Sequence, residues 1–136
     1  MTRQDLQKLS NTRLREAKLL LSANASDGAY YLAGYVVECA LKACIAKSTE
    51  RYEFPDLKRV KDSYTHKTKD LIVVAGLKPS HDEAMRQSEF ALRWDVVVQW
   101  SEESRYGSHS SQEASDLIEA IENRKHGILQ WLKKHY

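Results

Sequence analysis

One short polar segment of the chain gathers side chains that could bind phosphate and move protons. Residues 100–109 read WSEESRYGSH and place Arg105, Tyr106 and His109 around Gly107. A guanidinium holds phosphate oxygens in a bidentate manner, and histidine is the side chain that titrates near neutral pH. Because loops between rigid helices often carry function, this segment is the first candidate site.

Each of these residues also has a purely structural explanation. Arg105 could pair with the carboxylate of Glu38 or Glu102, and His109 directly precedes a predicted helix cap. Tyr106 could be a core aromatic residue that keeps its hydroxyl at the surface. The sequence leaves both interpretations open.

A charged pair lies inside the most apolar segment of the chain. Residues 29–46 read AYYLAGYVVECALKACIA, which is apolar around the whole helix circumference except at Glu38 and Lys42. Their spacing of four puts both on one helix face as an acid-before-base pair. We expect a buried central helix. The alternatives are a helix that also lies on a subunit interface and a Lys42 that contacts phosphate. A membrane span is not expected, because two central charges would each cost about 2.5–3.5 kcal/mol in a bilayer.

The charges are unevenly distributed although the net charge is only +2. Residues 1–79 hold 14 basic and 9 acidic residues, whereas residues 80–136 hold 7 and 10. The most basic segment has Tyr64 and His66 interleaved with Lys58, Arg59, Lys61, Lys67 and Lys69. This is a weak footprint for phosphate contact, so a solvated loop is expected there and its role stays open.

Apolar periodicity predicts the helices of the first half of the chain. Helix one runs from residue 2 or 3 to residue 22, and helix two begins at a cap formed by Ser26 or Asp27 and ends near residue 47. A long polar connection, broken by Pro55 and containing a short turn at residues 57–60, leads to a short third helix over residues 68–75. Gly76 ends that helix.

Two capping boxes predict the helices of the second half. Ser80 with Glu83 starts helix four, which reaches residue 100, and Ser110 with Glu113 starts helix five, which runs to about residue 135. The predicted fold is therefore all-α: an up-and-down bundle of four long helices plus one short helix, forming a single domain over residues 1–136.

The two cysteines bear on the cellular location, and the absence of common catalytic motifs bears on cofactors and metals. Cys39 and Cys44 lie five apart in one helix, too far for a disulfide and without zinc-type spacing. We expect no signal peptide, and a cytoplasmic protein with buried thiols is the simplest interpretation. The sequence has no Walker loop, dinucleotide fingerprint, nucleophile elbow or HExxH helix, so no cofactor and no metal are expected.

Short motifs along nearly the whole chain are shared with a known family. They are AYYLAGY followed by ECALKA on helix two, Tyr64-Thr65-His66 before Leu71, Ala75-Gly76-Leu77, Trp100, and Arg105-Tyr106. In this order the chain resembles the HEPN domain family of prokaryotic helical bundles, and the E-x-x-L-K-A signature is the most telling part.

The resemblance implies a dimeric helical bundle and a toxin-like role in a toxin–antitoxin or defence pair with a nucleotidyltransferase-like antitoxin. Active members are metal-independent ribonucleases that use an Arg followed, after four to six residues, by a His. The Arg neutralises the phosphate, and the His transfers the proton of the ribose 2′-OH or of the leaving oxygen. Here only three residues separate Arg105 from His109, so the chain departs from that motif.

Three functions stay open at this point. The first is an RNA-targeting, toxin-like component with ribonuclease activity at Arg105 and His109. The second is a non-catalytic module that binds RNA, nucleotide or a nucleotidyltransferase partner, with Tyr106, Lys42 and Glu38 supporting the site. The third is a structural homodimer.

Overall fold

The computed structural model describes residues 1–49, 54 and 56–136, and in these residues it is all-helical, which confirms the predicted fold class. The predicted break at Pro55 lies outside the described residues. The helices are α1 (Arg3–Ser22), α2 (Ser26–Ser48), α3 (Leu57–Asp62), α4 (Thr68–Val74), α5 (Lys78–Ala84), α6 (Ser88–Val98), a 3-10 helix (Glu102–Tyr106), α7 (Ser111–Glu122) and α8 (Ile128–Lys133).

The first two helices pack against each other along their length. Thr2 and Asp5 form a capping box that starts α1, since each side chain bonds the backbone N–H of the other residue. Asn24, with a positive φ of 62°, lies in the turn between α1 and α2. Ser10 is fully buried between the two helices, where its hydroxyl donates to the Val36 carbonyl at 2.8 Å.

Helix α2 is the centre of the molecule, as its apolar circumference predicts. It contacts α1, α4, α7, α8 and the 3-10 helix, and 13 of its 23 residues are buried, so one chain covers most of it. By length and composition α2 could also cross a membrane, but 72% of its most apolar window is buried inside this fold. Its own Leu41 is fully buried, and around it lie other large, fully buried side chains: Leu71, Leu117, Ile121, Ile128, Leu129 and Leu132.

The cysteines of α2 are buried and free, as predicted. Burial raises the pKa of both Cys39 and Cys44 to about 11. The thiols therefore stay protonated at neutral pH, and they pack as small apolar groups rather than as nucleophiles.

The predicted helix four is divided in the structure. Pro79 occupies the first turn of α5, so that helix begins at Lys78, and Ser80 lies inside it instead of capping it. Turn-type bonds from the N–H groups of Arg86 and Gln87 then close α5, and α6 starts at Ser88. The prediction of a Ser80 cap and of one continuous helix was wrong.

The predicted helix five begins correctly but ends early. Ser110 and Glu113 form the predicted capping box of α7. At Asn123 the backbone leaves helical geometry (φ −48°, ψ 130°), and a turn to Gly127 redirects the chain into α8. The ring of Trp131 on α8 can thereby pack against Phe90 of α6, at 5.4 Å between ring centroids.

The segments between α2 and α5 match the prediction in part. Residues 57–60, expected to form a turn in a loop, belong to the helix α3, in which Lys58 pairs with Asp62 at 3.0 Å. Helix α4 ends near the predicted position, and Gly76 has the positive φ (71°) typical of a glycine that terminates a helix.

Candidate functional site

One face of α2 carries a row of polar and aromatic side chains. Tyr31, Tyr35, Glu38 and Lys42 follow each other at intervals of four, three and four residues, which places them on a single helix face. The hydroxyls of Tyr31 and Tyr35 lie 3.2 Å apart. Burial, and then the bond to Tyr31, raise the pKa of Tyr35 well above its usual value, so this phenol stays protonated.

Glu38 is the charged centre of this row. The sequence predicts its pair with Lys42, and the structure brings Lys42 Nζ within 2.9 Å of Glu38 Oε1. His66 Nδ1 lies 2.9 Å from the same oxygen, and His66 Nε2 lies 3.0 Å from Glu102 Oε2. The imidazole therefore joins α2 to the 3-10 helix through two carboxylates. Glu38 Oε2 is buried and has no partner among the described residues.

This Glu38–His66–Glu102 row is a chain of polar contacts rather than a ligand set for a metal. Within the part of the chain that the structure describes, no group of three or more His, Cys, Asp or Glu residues has an arrangement that could hold a metal ion. Both ring nitrogens of His66 face carboxylate oxygens, so the imidazole is held between α2 and the 3-10 helix.

The ring of Trp100 packs against the α2 residues that carry the polar row. Its ring packs edge-on against Tyr35, with 5.0 Å between centroids, and lies directly on the backbone of Gly34. Trp100 and Trp94 are buried, whereas Trp131 is half-buried. The close approach of Trp100 to α2 fixes where the chain enters the 3-10 helix.

The structure places Arg105 and Tyr106 at the exposed end of this row. The Arg105 guanidinium lies over the Tyr106 ring, 4.8 Å from its centroid, and Tyr106 is 80% exposed. The phenol oxygen of Tyr106, and then that of Tyr31, raise the pKa of Arg105. The proposed pairing of Arg105 with Glu38 or Glu102 is not found among the described residues, and both carboxylates contact His66 instead. Tyr106 is not a core residue either.

His109 occupies a different environment from Arg105. Its ring stacks on Tyr30, with 3.8 Å between centroids and 14° between planes, and its Nδ1 lies 3.2 Å from Glu113 Oε2. Its Nε2 is buried near Gly107 and has no partner among the described residues. The hydrogen bond with His109 is the main reason that the pKa of Glu113 is lowered.

The backbone of His109 is also anchored on the start of α2. Its N–H donates to Asp27 Oδ1 at 2.6 Å, and its carbonyl accepts from Ser26 Oγ at 2.7 Å. Ser26 and Asp27 were predicted to cap α2, but their side chains bond the His109 backbone instead. Ala25 is the N-cap residue of α2 and makes no side-chain cap bond. His109 thus connects the beginning of α2 to the cap of α7.

A cleft of about 500 Å³ opens beside His66. It is bounded by residues 66–70, which precede and begin α4, and by the end of α6 with the start of the 3-10 helix. Lys67 and Lys69 line one wall, while Glu102 and Glu103 line the other. A groove with cationic and carboxylate walls suits a ligand that carries both acceptor and donor groups.

The sequence predicts part of this site. It gives the Glu38–Lys42 pair and singles out Arg105 as a candidate, but it assigns no individual role to Tyr31, Tyr35 or His66. The intervals of four, three and four on α2 were the signal that could have grouped the tyrosines with Glu38. No local signal links His66 to Glu38, since 28 residues separate them.

We compared the chain with protein-family models, with curated proteins and with solved structures, and none of them matches it.

Proposed function

We propose that the chain is a HEPN-like, RNA-targeting component of a toxin–antitoxin or defence pair, and that it binds single-stranded RNA through the 3-10 helix. One observation carries this proposal: Arg105 and Tyr106 stack on each other at the surface, with the tyrosine ring 80% exposed. The groups that face the guanidinium are the phenol oxygens of Tyr106 and Tyr31 rather than a carboxylate.

Such a pair has the chemistry that single-stranded RNA requires. Unstacked bases stack on aromatic rings and on guanidinium planes, and the guanidinium also bonds phosphate oxygens. Lys67 and Lys69 add positive charge in the neighbouring cleft. Glu102 is already engaged by His66, so it opposes a phosphate chain less than a free carboxylate would.

Binding without cleavage is the form of this function that the site supports best. The ring nitrogen of His109 without a partner, Nε2, is buried beside Gly107, so the loop would have to open before His109 could act as the general acid or base. A proton-transfer group must reach the substrate within hydrogen-bond distance. Ribonuclease activity at Arg105 and His109 is therefore the second candidate, and it requires a rearranged loop.

The remaining parts of the proposal rest on the resemblance and, for the helix arrangement and the location, also on the helical periodicity and the buried cysteines. They are an up-and-down arrangement of the helices, a homodimer, a nucleotidyltransferase-like antitoxin and a cytoplasmic location. The alternative that α2 also lies on a subunit interface is less favoured, because α2 is largely covered within one chain. For the homodimer we propose a contact near the 3-10 helix, where Tyr106 is exposed.

Fluorescence anisotropy with a labelled single-stranded RNA tests the proposal. Arg105→Ala and Tyr106→Ala should each weaken binding by about 1–3 kcal/mol, the typical loss when a stacking side chain is truncated. Arg86→Ala is the matched control, because Arg86 is an exposed arginine paired with Glu83 at 3.3 Å. The melting temperature of the Arg105 variant should stay close to that of the parent.

A cleavage assay on the same RNA separates the two candidates. His109→Ala should leave RNA affinity in place, and no cleavage products should form with either protein. Products that disappear in the His109→Ala protein would establish the ribonuclease instead. Absence of RNA binding by the unaltered protein would remove the RNA-targeting function and leave the structural homodimer.

A further inference from the structure

A second cleft lies on the other end of α6, between α5, α6 and the segment from residue 124 to residue 135. Its volume is about 430 Å³. Five basic side chains line it: Arg124, Lys125, His126, Lys134 and His135. Arg124, Lys125 and Lys134 are exposed, whereas His126 and His135 are half-buried. This is the densest group of basic lining residues among the described clefts.

The carboxylates near this cleft are already paired. Glu83 lines the cleft and lies 3.3 Å from Arg86, and Glu89, which is close to His126, lies 2.9 Å from Arg93. The basic residues of the cleft make no ion pair with a carboxylate in the described part of the chain. Their charges therefore add up to a positive potential in a concave site, which concentrates anions.

A rigid turn holds three of the basic residues in place. Asn123 Oδ1 accepts hydrogen bonds from the N–H groups of Lys125 and His126 at 3.1 and 2.9 Å. The Gly127 N–H then donates to the Asn123 carbonyl at 3.0 Å. Only glycine fits at position 127, because a Cβ there would come within 2.7 Å of the Ile121 carbonyl oxygen and closer to Asn123. The backbone of Arg124–His126 is thus fixed in the free protein.

The cleft also has an aromatic wall. Phe90 and Trp131 line it and pack edge-to-face, with 5.4 Å between centroids. Behind them His81 supports both rings, at 6.2 and 5.9 Å. His135 lies against Trp131 at 5.1 Å, and burial, followed by Lys47 and Lys134, lowers its pKa. The influence of both lysines on His135 is consistent with a positive field at this corner.

We propose that this cleft binds a phosphate monoester, with Arg124, Lys125 and Lys134 holding the phosphate oxygens beside the Phe90–Trp131 wall. A phosphate offers several acceptor oxygens, which match the guanidinium and ammonium donors of these side chains. This site is separate from Arg105 and Tyr106 and does not depend on the RNA-targeting function.

Isothermal titration calorimetry with three probes tests the proposal: inorganic phosphate, adenosine 5′-monophosphate and adenosine. Both phosphate-bearing probes should bind in a saturable manner, and adenosine should not. Arg124→Gln and Lys134→Gln should each weaken binding about tenfold or more, since one hydrogen bond to a charged group is lost. Lys133→Gln is the matched control, because Lys133 is an exposed neighbour that does not line the cleft.

The three probes also separate the sources of the phosphate. Equal affinity for phosphate and for the nucleotide identifies the phosphate group alone as the ligand, whereas tighter nucleotide binding adds stacking on the aromatic wall. Adenosine binding as tightly as its monophosphate would overturn the proposal. So would an equal loss of affinity in Lys133→Gln, or no saturable binding of either phosphate probe. Arg105→Ala should leave this binding unchanged, whatever its effect on RNA.

Discussion

Gly34 allows the Trp100 ring to lie against the backbone of α2. A Cβ at this position would lie far inside the van der Waals contact distance of three atoms of the indole ring, which is itself buried. Gly34→Ala should therefore cost about 3 kcal/mol or more of unfolding free energy, as expected for overpacking a rigid contact. Urea denaturation followed by circular dichroism measures this loss.

Gly28→Ala is the control on the same helix. A Cβ at Gly28 would meet only the flexible end of Leu20, at 3.4 Å. The helical preference of alanine should make that variant as stable as the parent or up to about 1 kcal/mol more stable. Equal losses in both variants would mean that Trp100 does not press on Gly34.

His81 makes the stability of the fold sensitive to acid. It is buried between Phe90 and Trp94, neither ring nitrogen has a hydrogen-bond partner among the described residues, and burial lowers its pKa. As the pH falls below about 6.5, the unfolded chain binds a proton at this histidine before the folded chain does. The contribution of His81 to the free energy of unfolding is therefore fully present above about pH 6.5. It decreases as the pH falls towards the pKa of His81 in the folded state.

His81→Phe should reduce this decrease, because phenylalanine keeps the aromatic packing and binds no proton. Unfolding free energies from urea titrations at about pH 7.5 and about pH 5.5 give the comparison. Asp82 raises and Lys78 lowers the pKa of His81, and both residues are present in the parent and in the variant. Their own titration is therefore common to the two proteins and drops out of the comparison. An unchanged pH dependence in the variant would show that His81 does not carry the effect.

How much of the site could be predicted depends on whether its contacts are local in sequence. Glu38 and Lys42 are four residues apart on one helix, so their pairing follows from helix geometry alone. The contact of His66 with Glu38 spans 28 residues and depends on how α4 packs on α2. The expected pairing of Arg105 with Glu38 or Glu102 is not found among the described residues, and the contacts of both carboxylates with His66 are likewise not local in sequence.

At the scale of helices, the two Ser-x-x-Glu patterns give opposite outcomes that a matched pair of mutations can measure. Ser110 accepts a bond from the Glu113 N–H at 3.1 Å and caps α7, so Ser110→Ala should cost about 1 kcal/mol. Ser80 lies within α5, where alanine is the better helix former, so Ser80→Ala should cost nothing. Thermal unfolding of both variants tests this, and equal losses would contradict the start of α5 at Lys78.

The division of the predicted helix four has a cause that periodicity cannot reveal. Residues 81 and 94 would stand about 20 Å apart along one continuous helix. In the structure the rings of His81 and Trp94 lie 4.2 Å apart, so the chain must turn between them. No glycine or proline marks this turn at residues 85–87. Burial of the aromatic rings therefore overrides the local helical pattern.

For the molecule as a whole, the composition of α2 has a simpler explanation than an interface. A helix that is apolar on every side must be surrounded, and α1, α4, α7, α8 and the 3-10 helix surround this one within a single chain. The all-α class follows from the sequence because periodicity and caps are local. The number of helices does not follow from the sequence. Predicted helix four is divided by the packing of aromatic rings, and predicted helix five is divided by the turn at Asn123.

If the chain dimerises as the HEPN resemblance implies, the contact should involve the 3-10 helix. Tyr106 is 80% exposed there and projects next to Arg105, whereas little apolar surface of α2 is left to pair. Tyr106→Ser should weaken a symmetric contact, since each protomer would bring the same exposed ring and aromatic side chains are favoured in interfaces. Light scattering on gel-filtered protein at micromolar concentrations measures the mass.

Leu92→Ser, at another exposed apolar residue (62%), should leave the dimer intact. A constant monomer mass on further concentration, or a dimer lost only in Leu92→Ser, would exclude association through this loop.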